Sequence, residues 1–347
     1  MKTTMLALII AVLISPVVCA AQEPTATPIP PGLPAEVRLE GLQVRWQQYN
    51  RCASAALYMQ MSYFGYSGGA TDIVTWLNPY KEDKSVRLEE MIAFAGEHDL
   101  LGIERTGGTR ELMQRLVAGG FPVLVENAYY HRGGPNDWLS HNRVLMGYDT
   151  YRFYFFDPLL GPGDDNRGYG IRYDEFDTIW RDFNRVYMVL YRPDDQERLA
   201  AILGDQWDVN YNAQWTLDQA QVDYQKNSDA MSLYNVGSAR LALGDQDGAL
   251  QAFDGTRKGG LPWRLHWYRF EALEAYLQAG RYEDLMALIY KVIADTDAIQ
   301  EVYYYAGLAY EAQGNTERAR ANYYAALDRN ANYPAAQAAL DRLDEGG

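Results

Sequence analysis

The hydrophobic positions follow three different patterns along the chain and divide it into segments. From Leu6 to Val18 almost every residue is apolar. Residues 36–195 mix helical spacing with short β-type runs, whereas residues 205–343 show helical spacing alone. A mixed segment followed by a purely helical one predicts an α+β domain and then an all-α domain.

The first apolar run has the features of an export signal. Lys2 precedes it, and the small residues at 18–20 (VCA) suit cleavage. The run is too short to span a membrane comfortably. We therefore expect residues 1–21 to be a signal peptide and the protein to be secreted or extracytoplasmic, with membrane attachment only if the signal is retained. Residues 22–35 are rich in Pro and Thr, which predicts an extended, disordered linker.

The segment after Cys52 predicts a helix that begins at this cysteine. Its apolar residues follow helical spacing, and Gly65 is a suitable helix end. Residues 49–51 form a loop, so Cys52 lies in the first helical turn. The partial positive charge there favours a thiolate, and the unpaired backbone N–H groups can bind an oxyanion. Cys52 is therefore a candidate nucleophile, although a small buried core residue is the plain alternative.

The cysteine count bears on the same residue. The chain has only Cys19 and Cys52, so removal of the signal peptide leaves one cysteine and no internal disulfide. A single thiol in an exported protein indicates either intermolecular pairing or reactivity. Two glutamines lie just upstream, and both Gln47 and Gln48 are placed to donate a hydrogen bond to an oxyanion.

Among the four histidines, His141 has the context expected of a general base. His98 lies at a helix end, His131 in a Gly-rich loop and His266 in the helical segment. His141 opens the β-type run HNRVLMGYD, and a second run, RFYFFD, follows after a short turn. These two runs predict a β-hairpin that ends at Asp157.

Hairpin geometry tests whether His141 and Asp157 can meet. A three-residue turn at residues 148–150 would pair Gly147 with Tyr151 and place His141 directly opposite Asp157. Their Cβ atoms would then lie about 4.5–5.5 Å apart. A two-residue turn would put them on opposite faces, so the hypothesis requires an odd-numbered turn or a bulge. Taken one at a time, His141 could be an ordinary edge-strand histidine and Asp157 an ordinary turn-forming residue. A cysteine at a helix start, followed by a histidine at a strand start and an aspartate at the end of the next strand, favours a catalytic site.

Four motifs in this segment resemble a known family. QQYNRC, SYFGY, SHNRVLMGYD and FYFFDP resemble the C39-type peptidase-like fold, a branch of the papain-like cysteine peptidases, over residues 40–192. The resemblance implies that Cys52 is the nucleophile, His141 the base and Asp157 the residue that orients the histidine. It implies a cysteine peptidase that uses neither metal nor cofactor. The sequence also lacks the cysteine-pair zinc spacing and the HExxH motif.

The oxyanion site differs in detail from the family pattern. The resemblance favours Gln47 as the oxyanion donor, with Gln48 as the alternative. Ala53 stands where the family usually has glycine, and the spacing from Gln47 to Cys52 is one residue shorter than in papain-like enzymes generally.

Residues 205–343 contain a repeat. Gly244, Gly280 and Gly314 are 36 and 34 residues apart. Five positions after each glycine lies a small or apolar residue: Ala249, Leu285 or Ala319. Nine positions after each glycine lies a large apolar residue: Phe253, Ile289 or Tyr323. A period near 34 resembles tetratricopeptide repeats, in which helix pairs stack. We interpret the nearby aromatic cluster of Trp263, Trp267 and Tyr268 as packing between domains or repeats.

Charge and fold together narrow the function. The net charge of −15, from 46 acidic and 31 basic residues, disfavours nucleic acid as a partner. We expect an exported cysteine hydrolase acting on a peptide or protein, with repeats that bind a protein partner or serve as a spacer. The alternatives are a non-catalytic peptide-binding module on a peptidase-like scaffold, and acyl transfer or amide hydrolysis on a non-peptide substrate.

Overall fold

The computed structural model describes residues 31–131 and 137–345. The predicted signal peptide and residues 22–30 of the predicted linker lie outside these ranges. Within them, none of the helices is long and apolar enough to cross a membrane.

One antiparallel sheet organises the first half of the chain. Its seven strands in the described residues are β1 Val37–Arg38, β2 Leu101–Arg105, β3 Val123–Tyr130, β4 Trp138–Tyr148, β5 Arg152–Phe156, β6 Tyr169–Arg172 and β7 Tyr187–Tyr191. The order is β2-β7-β3-β4-β5-β6, and β1 pairs with the end of β4. Strand β7 is buried along its whole length, which explains its continuous apolar sequence YMVLY. Strand β4 is largely buried as well but carries polar residues at positions 140–143.

Six helices cover the two faces of this sheet. One face carries α1 Cys52–Tyr63, α2 Ala70–Leu77 and α3 Leu88–Gly96, and the other carries α4 Arg110–Ala118, α5 Tyr173–Trp180 and α6 Gln196–Leu203. Alternate residues of each strand serve the two faces, since Leu124 packs with the first group and Val125 with the second. The mixture of an antiparallel sheet and helices agrees with the predicted α+β class.

The turn of the β4–β5 hairpin differs from the prediction. Gly147 pairs with Tyr154 and not with Tyr151. The N–H of Asp149 donates to the backbone oxygen of Arg152 at 3.0 Å, so residues 150–151 form a two-residue turn. The carboxylate of Asp149 accepts hydrogen bonds from the N–H groups of Tyr151 (2.6 Å) and Arg152 (2.8 Å), which stabilises this turn. A side chain that bonds to nearby backbone in this way stabilises a turn that strand alternation does not reveal.

A bulge in β4 then changes the register of the hairpin. The pairing shifts between Leu145 and Gly147, which leaves Met146 as the extra residue. Beyond the bulge Val144 pairs with Phe156, so the next position in register places Arg143 beside Asp157. The predicted direct opposition of His141 and Asp157 is therefore wrong, and the two residues are diagonal neighbours on the same face.

Eight helices follow in the described part of the second half. They are α7 Val209–Asn227, α8 Ala230–Ala242, α9 Gln246–Thr256, α10 Glu271–Gln278, α11 Tyr282–Asp295, α12 Gln300–Ala312, α13 Thr316–Arg329 and α14 Pro334–Glu345. Gly244, Gly280 and Gly314 join α8–α9, α10–α11 and α12–α13, with φ of 75°, 67° and 76°. These left-handed turns favour glycine. The region is compatible with tetratricopeptide-like repeats, whose identity stays a prediction.

Close helix packing at Gly307 provides a test of this region. A methyl group at Gly307 of α12 would lie 2.4 Å from Cε1 of Tyr323 in α13, whose hydroxyl donates to Glu311 at 2.5 Å. We expect Gly307→Ala to lower the free energy of unfolding by about 1–3 kcal/mol through overpacking. Urea unfolding followed by circular dichroism measures this change.

The matched control is another helical glycine with open space around it. A Cβ at Gly96 of α3 meets no atom within 4 Å. Gly96→Ala should therefore leave stability unchanged or raise it by up to about 1 kcal/mol, because alanine is the better helix former. Equal effects of the two substitutions would contradict the proposed packing contact.

The two halves of the chain share one hydrophobic cluster. At the start of β4, Trp138 stacks on Phe183 with ring centroids 5.3 Å apart, and Tyr268 from the helical region lies 5.9 Å from the same tryptophan. Trp267 packs 6.3 Å from Tyr268. These contacts confirm the interpretation of the aromatic cluster as packing between domains, and they place it next to the strand that carries His141.

Candidate active site

Cys52 is the first residue of α1, as the sequence predicts. The loop before it is held by Arg51, whose guanidinium donates to the backbone oxygens of Lys81 (2.9 Å) and Asp83 (3.2 Å). Asn50 takes a left-handed conformation with φ of 54°, which asparagine tolerates better than most residues. No side chain among the described residues caps α1 at its N-terminus, so the first-turn N–H groups are available to an anion near the half-buried Cys52.

His141 and Asp157 meet in the buried interior beside Cys52. The Nε2–H of His141 donates to Oδ1 of Asp157 at 2.9 Å, and the two residues are 3% and 0% exposed. Because Nε2 faces the carboxylate, Nδ1 is the ring nitrogen left to interact with the sulfur of Cys52, whose pKa His141 lowers. The ring of Tyr129 lies 5.4 Å from the imidazole on its other side.

The loop after Asp157 holds its carboxylate in place. Oδ1 also accepts the N–H groups of Leu159 (2.8 Å) and Leu160 (2.9 Å). The loop closes through a backbone hydrogen bond of 2.8 Å from Gly161 N–H to Asp157 O, and Gly161 has a left-handed φ of 86°. Oδ1 thus has three donors, two of them from the rigid backbone, so its position is fixed before any substrate binds.

This loop is joined to the loop that precedes Cys52. The N–H of Gln47 donates to the backbone oxygen of Pro158 at 2.8 Å. The contact ties together the two chain segments that carry the candidate nucleophile and the candidate carboxylate, although about a hundred residues separate them in sequence.

The electrostatics of the three groups favour an ion pair. Burial raises the pKa of the Cys52 thiol, but the hydrogen bond and charge of His141 outweigh burial and leave that pKa below its ordinary value. Burial lowers the pKa of His141, but the charge and hydrogen bond of Asp157 outweigh it and leave that pKa raised. Despite burial, His141 and Arg143 hold the pKa of Asp157 below its usual range. Both shifts favour transfer of the proton from Cys52 to His141.

Two residues of this site were missed by the sequence reasoning. The Nδ2 of Asn142 lies 3.9 Å from Sγ of Cys52 as a hydrogen-bond donor, and Nε of Arg143 lies 3.4 Å from Oδ2 of Asp157. A signal for Arg143 was present, since it is a charged residue within an apolar strand, two positions after His141 and so on the same face. Asn142 gave no comparable signal.

The predicted oxyanion donor is less clearly placed. Gln47 is half-buried, and no hydrogen bond among the described residues joins its side chain to Cys52; its Oε1 is buried and has no partner there. Gln48 is exposed. The methyl group of Ala53 is buried in the hydrophobic cluster around α1.

In the part of the chain that the structure describes, no three or more His, Cys, Asp or Glu side chains are grouped to hold a metal ion.

Comparison with known proteins found a family match in the first half of the chain. Residues 39–188 match the model of the Peptidase_C39 like family. This confirms the resemblance inferred from the motifs; the helical region lies outside the match. No curated protein matches the chain.

Two solved structures show a distant likeness. A C39-like peptidase from Bacillus anthracis is 15% identical, with a TM-score of 0.35, and the match covers 45% of this chain and 98% of that protein. A double glycine motif protease from an AMS/PCAT transporter, solved in complex with the leader peptide, is 17% identical, with a TM-score of 0.32, and the match covers 48% of this chain and 98% of that protein.

Proposed function

We propose that the protein is an exported cysteine hydrolase that cleaves peptides, with Cys52, His141 and Asp157 as its catalytic residues. The observation that carries the proposal is the 2.9 Å hydrogen bond between His141 and Asp157, because this imidazole also lowers the pKa of a cysteine at a helix N-terminus. The match of residues 39–188 to the model of a peptidase-like family supports peptide as the substrate class.

The chemistry follows from the positions of these groups. Cys52 attacks the carbonyl carbon of the scissile amide as a thiolate, while His141 holds the proton. The N–H of Cys52 and the carboxamide of Gln47 are the proposed donors to the oxyanion. His141 then gives its proton to the leaving amine, and water releases the acyl group. Asp157 keeps the imidazole in the correct orientation and tautomer.

The proposal extends to the two ends of the chain. Residues 1–21 would direct export, which the apolar pattern supports, and residues 205–343 would form tetratricopeptide-like repeats. The helix pairs at the predicted spacing and the complete burial of Ala249, Leu285 and Ala319 support that assignment. The repeats would bind a protein partner or act as a spacer.

Selective alkylation of Cys52 tests the function. The protein is incubated with a mixed peptide library, and products are detected by mass spectrometry. We expect cleavage that disappears in proportion to iodoacetamide modification of Cys52, mapped by peptide analysis to separate it from Cys19. Peptide binding without cleavage would instead support the non-catalytic binding module.

The pH dependence of cleavage follows from the two shifted groups. Below the acid limb the Cys52 sulfur is protonated and does not attack; above the alkaline limb His141 is neutral and cannot protonate the leaving amine. Because the pKa of Cys52 is lowered and that of His141 is raised, we expect a bell-shaped profile that includes neutral pH. Its acid limb should lie below the ordinary pKa of a thiol. A rate that rises only near the pKa of a free thiol would contradict the ion pair.

A further inference from the structure

Arg143 is a buried cation at the centre of the candidate site. It is 2% exposed, and its guanidinium carbon lies 5.5 Å from the ring centroid of Phe155. Its Nε is 3.4 Å from Oδ2 of Asp157. Placing a charge in this interior is costly without a partner, so the contact with the carboxylate is what stabilises the charge there.

The two oxygens of Asp157 have different partners. Oδ1 accepts the hydrogen bonds from His141, Leu159 and Leu160, whereas Oδ2 faces Arg143. The 3.4 Å contact is an ion pair without hydrogen-bond geometry, and neither Oδ2 of Asp157 nor Nε of Arg143 has a hydrogen-bond partner among the described residues. The carboxylate is therefore flanked by an imidazole on one oxygen and a guanidinium on the other.

We propose that Arg143 is a positioning residue of this site: it fixes Oδ2 of Asp157, and its charge sets the pH range over which Cys52 and His141 are held as an ion pair. The inference rests on the proposed function for its biological meaning. The contacts that carry it belong to this chain's own strand β4 and to the loop after β5.

The direction of the effect follows from the signs of the charges. A guanidinium repels the nearby imidazolium, which lowers the pKa of His141, and it attracts the thiolate of Cys52. Both effects shift the pH range in which the ion pair is populated to lower values. The other titratable groups near this cluster are Tyr129 and Glu126 on β3, Tyr169 on β6 and Tyr268 from the helical region. Glu126 lies opposite Asn142, and burial raises its pKa to about 7. It is present in the wild type and in every Arg143 variant, so a difference between them reports on Arg143.

The test measures the two groups separately in the full chain. The acid limb of Cys52 is read from the rate of iodoacetamide alkylation against pH, with the modified peptide mapped by mass spectrometry. The midpoint of His141 is read from the ring signal in a ¹³C NMR titration, assigned with the His141→Ala variant. We expect Arg143→Met and Arg143→Gln to raise both midpoints by about one pH unit, and Arg143→Lys to change them much less.

A second ion-paired arginine provides the matched control. Arg185 pairs with Asp177 and Asp223 away from the site, so Arg185→Met should leave both midpoints in place. Unchanged midpoints in a folded Met or Gln variant, or an equal displacement in the Lys variant, would overturn the inference. Loss of folded protein in all three Arg143 variants would show a core role instead and would also overturn it. If the wild type shows the ion pair but cleaves no peptide, the proposed function fails while the role of Arg143 stands.

Discussion

Replacing His141 with alanine is expected to lower kcat/KM for peptide hydrolysis by at least about 10³-fold, because the variant loses the group that accepts and returns the proton. A second loss comes from the thiol. Without the imidazolium, burial dominates the environment of Cys52 and raises its pKa. Alkylation of Cys52 at pH 6 should then slow by at least about tenfold, since the thiolate is the reactive form.

His98 provides the control for this substitution. Its ring centroid lies 5.0 Å from that of Tyr66 and 4.8 Å from that of Phe94, and neither residue belongs to the candidate site. His98→Ala should therefore keep both hydrolysis and alkylation close to the wild-type rates. Rapid alkylation of Cys52 in the His141→Ala variant would contradict the mechanism, because the thiol would then be activated by another group.

The meeting of His141 and Asp157 was predicted from sequence through a pairing that is wrong. With Gly147 opposite Tyr154, an uninterrupted register would place His141 and Asp157 on opposite faces of the hairpin. The extra residue at Met146 restores the common face, which is the bulge that the hypothesis allowed as an alternative. Alternation of side chains thus predicts which residues share a face, whereas local hydrogen bonds such as those of Asp149 decide the turn.

The start of α1 at Cys52 and the paired helices near residues 244, 280 and 314 were predictable because they depend on local spacing. The packing of the helical region against the sheet domain could not be predicted from the sequence. It depends on single contacts such as that of Trp138 with Tyr268, which join residues 130 positions apart and leave no periodic pattern. Helix α6 was missed for a related reason, since Leu199 is buried by the sheet and not by a repeat.

The largest expected effect on stability is that of replacing Arg269, which lies in the interface between the sheet domain and the helical region. Its side chain is 6% exposed, and Nη1 donates to the backbone oxygen of Asp182 and to Oδ1 of Asn235, each at 2.9 Å. Nε and Nη2 donate to Glu271 at 2.8 and 2.6 Å. Burial opposes the charge on Glu271, but Arg269 outweighs burial and lowers the pKa of that carboxyl to about 2. One guanidinium thus satisfies acceptors from both halves of the chain.

Arg269→Met should therefore lower the free energy of unfolding by about 3–5 kcal/mol, because the Glu271 carboxylate loses its cationic partner and two neutral acceptors lose their donor. Urea unfolding at pH 7 measures the loss. Arg115→Met is the control, since Arg115 and Glu111 form an exposed pair on α4 that should contribute less than about 1 kcal/mol. At pH values low enough to protonate Glu271, the deficit of the Arg269 variant should shrink, because the uncompensated charge is removed. A deficit below about 1 kcal/mol at pH 7 would mean that Arg269 contributes little to holding the two halves together.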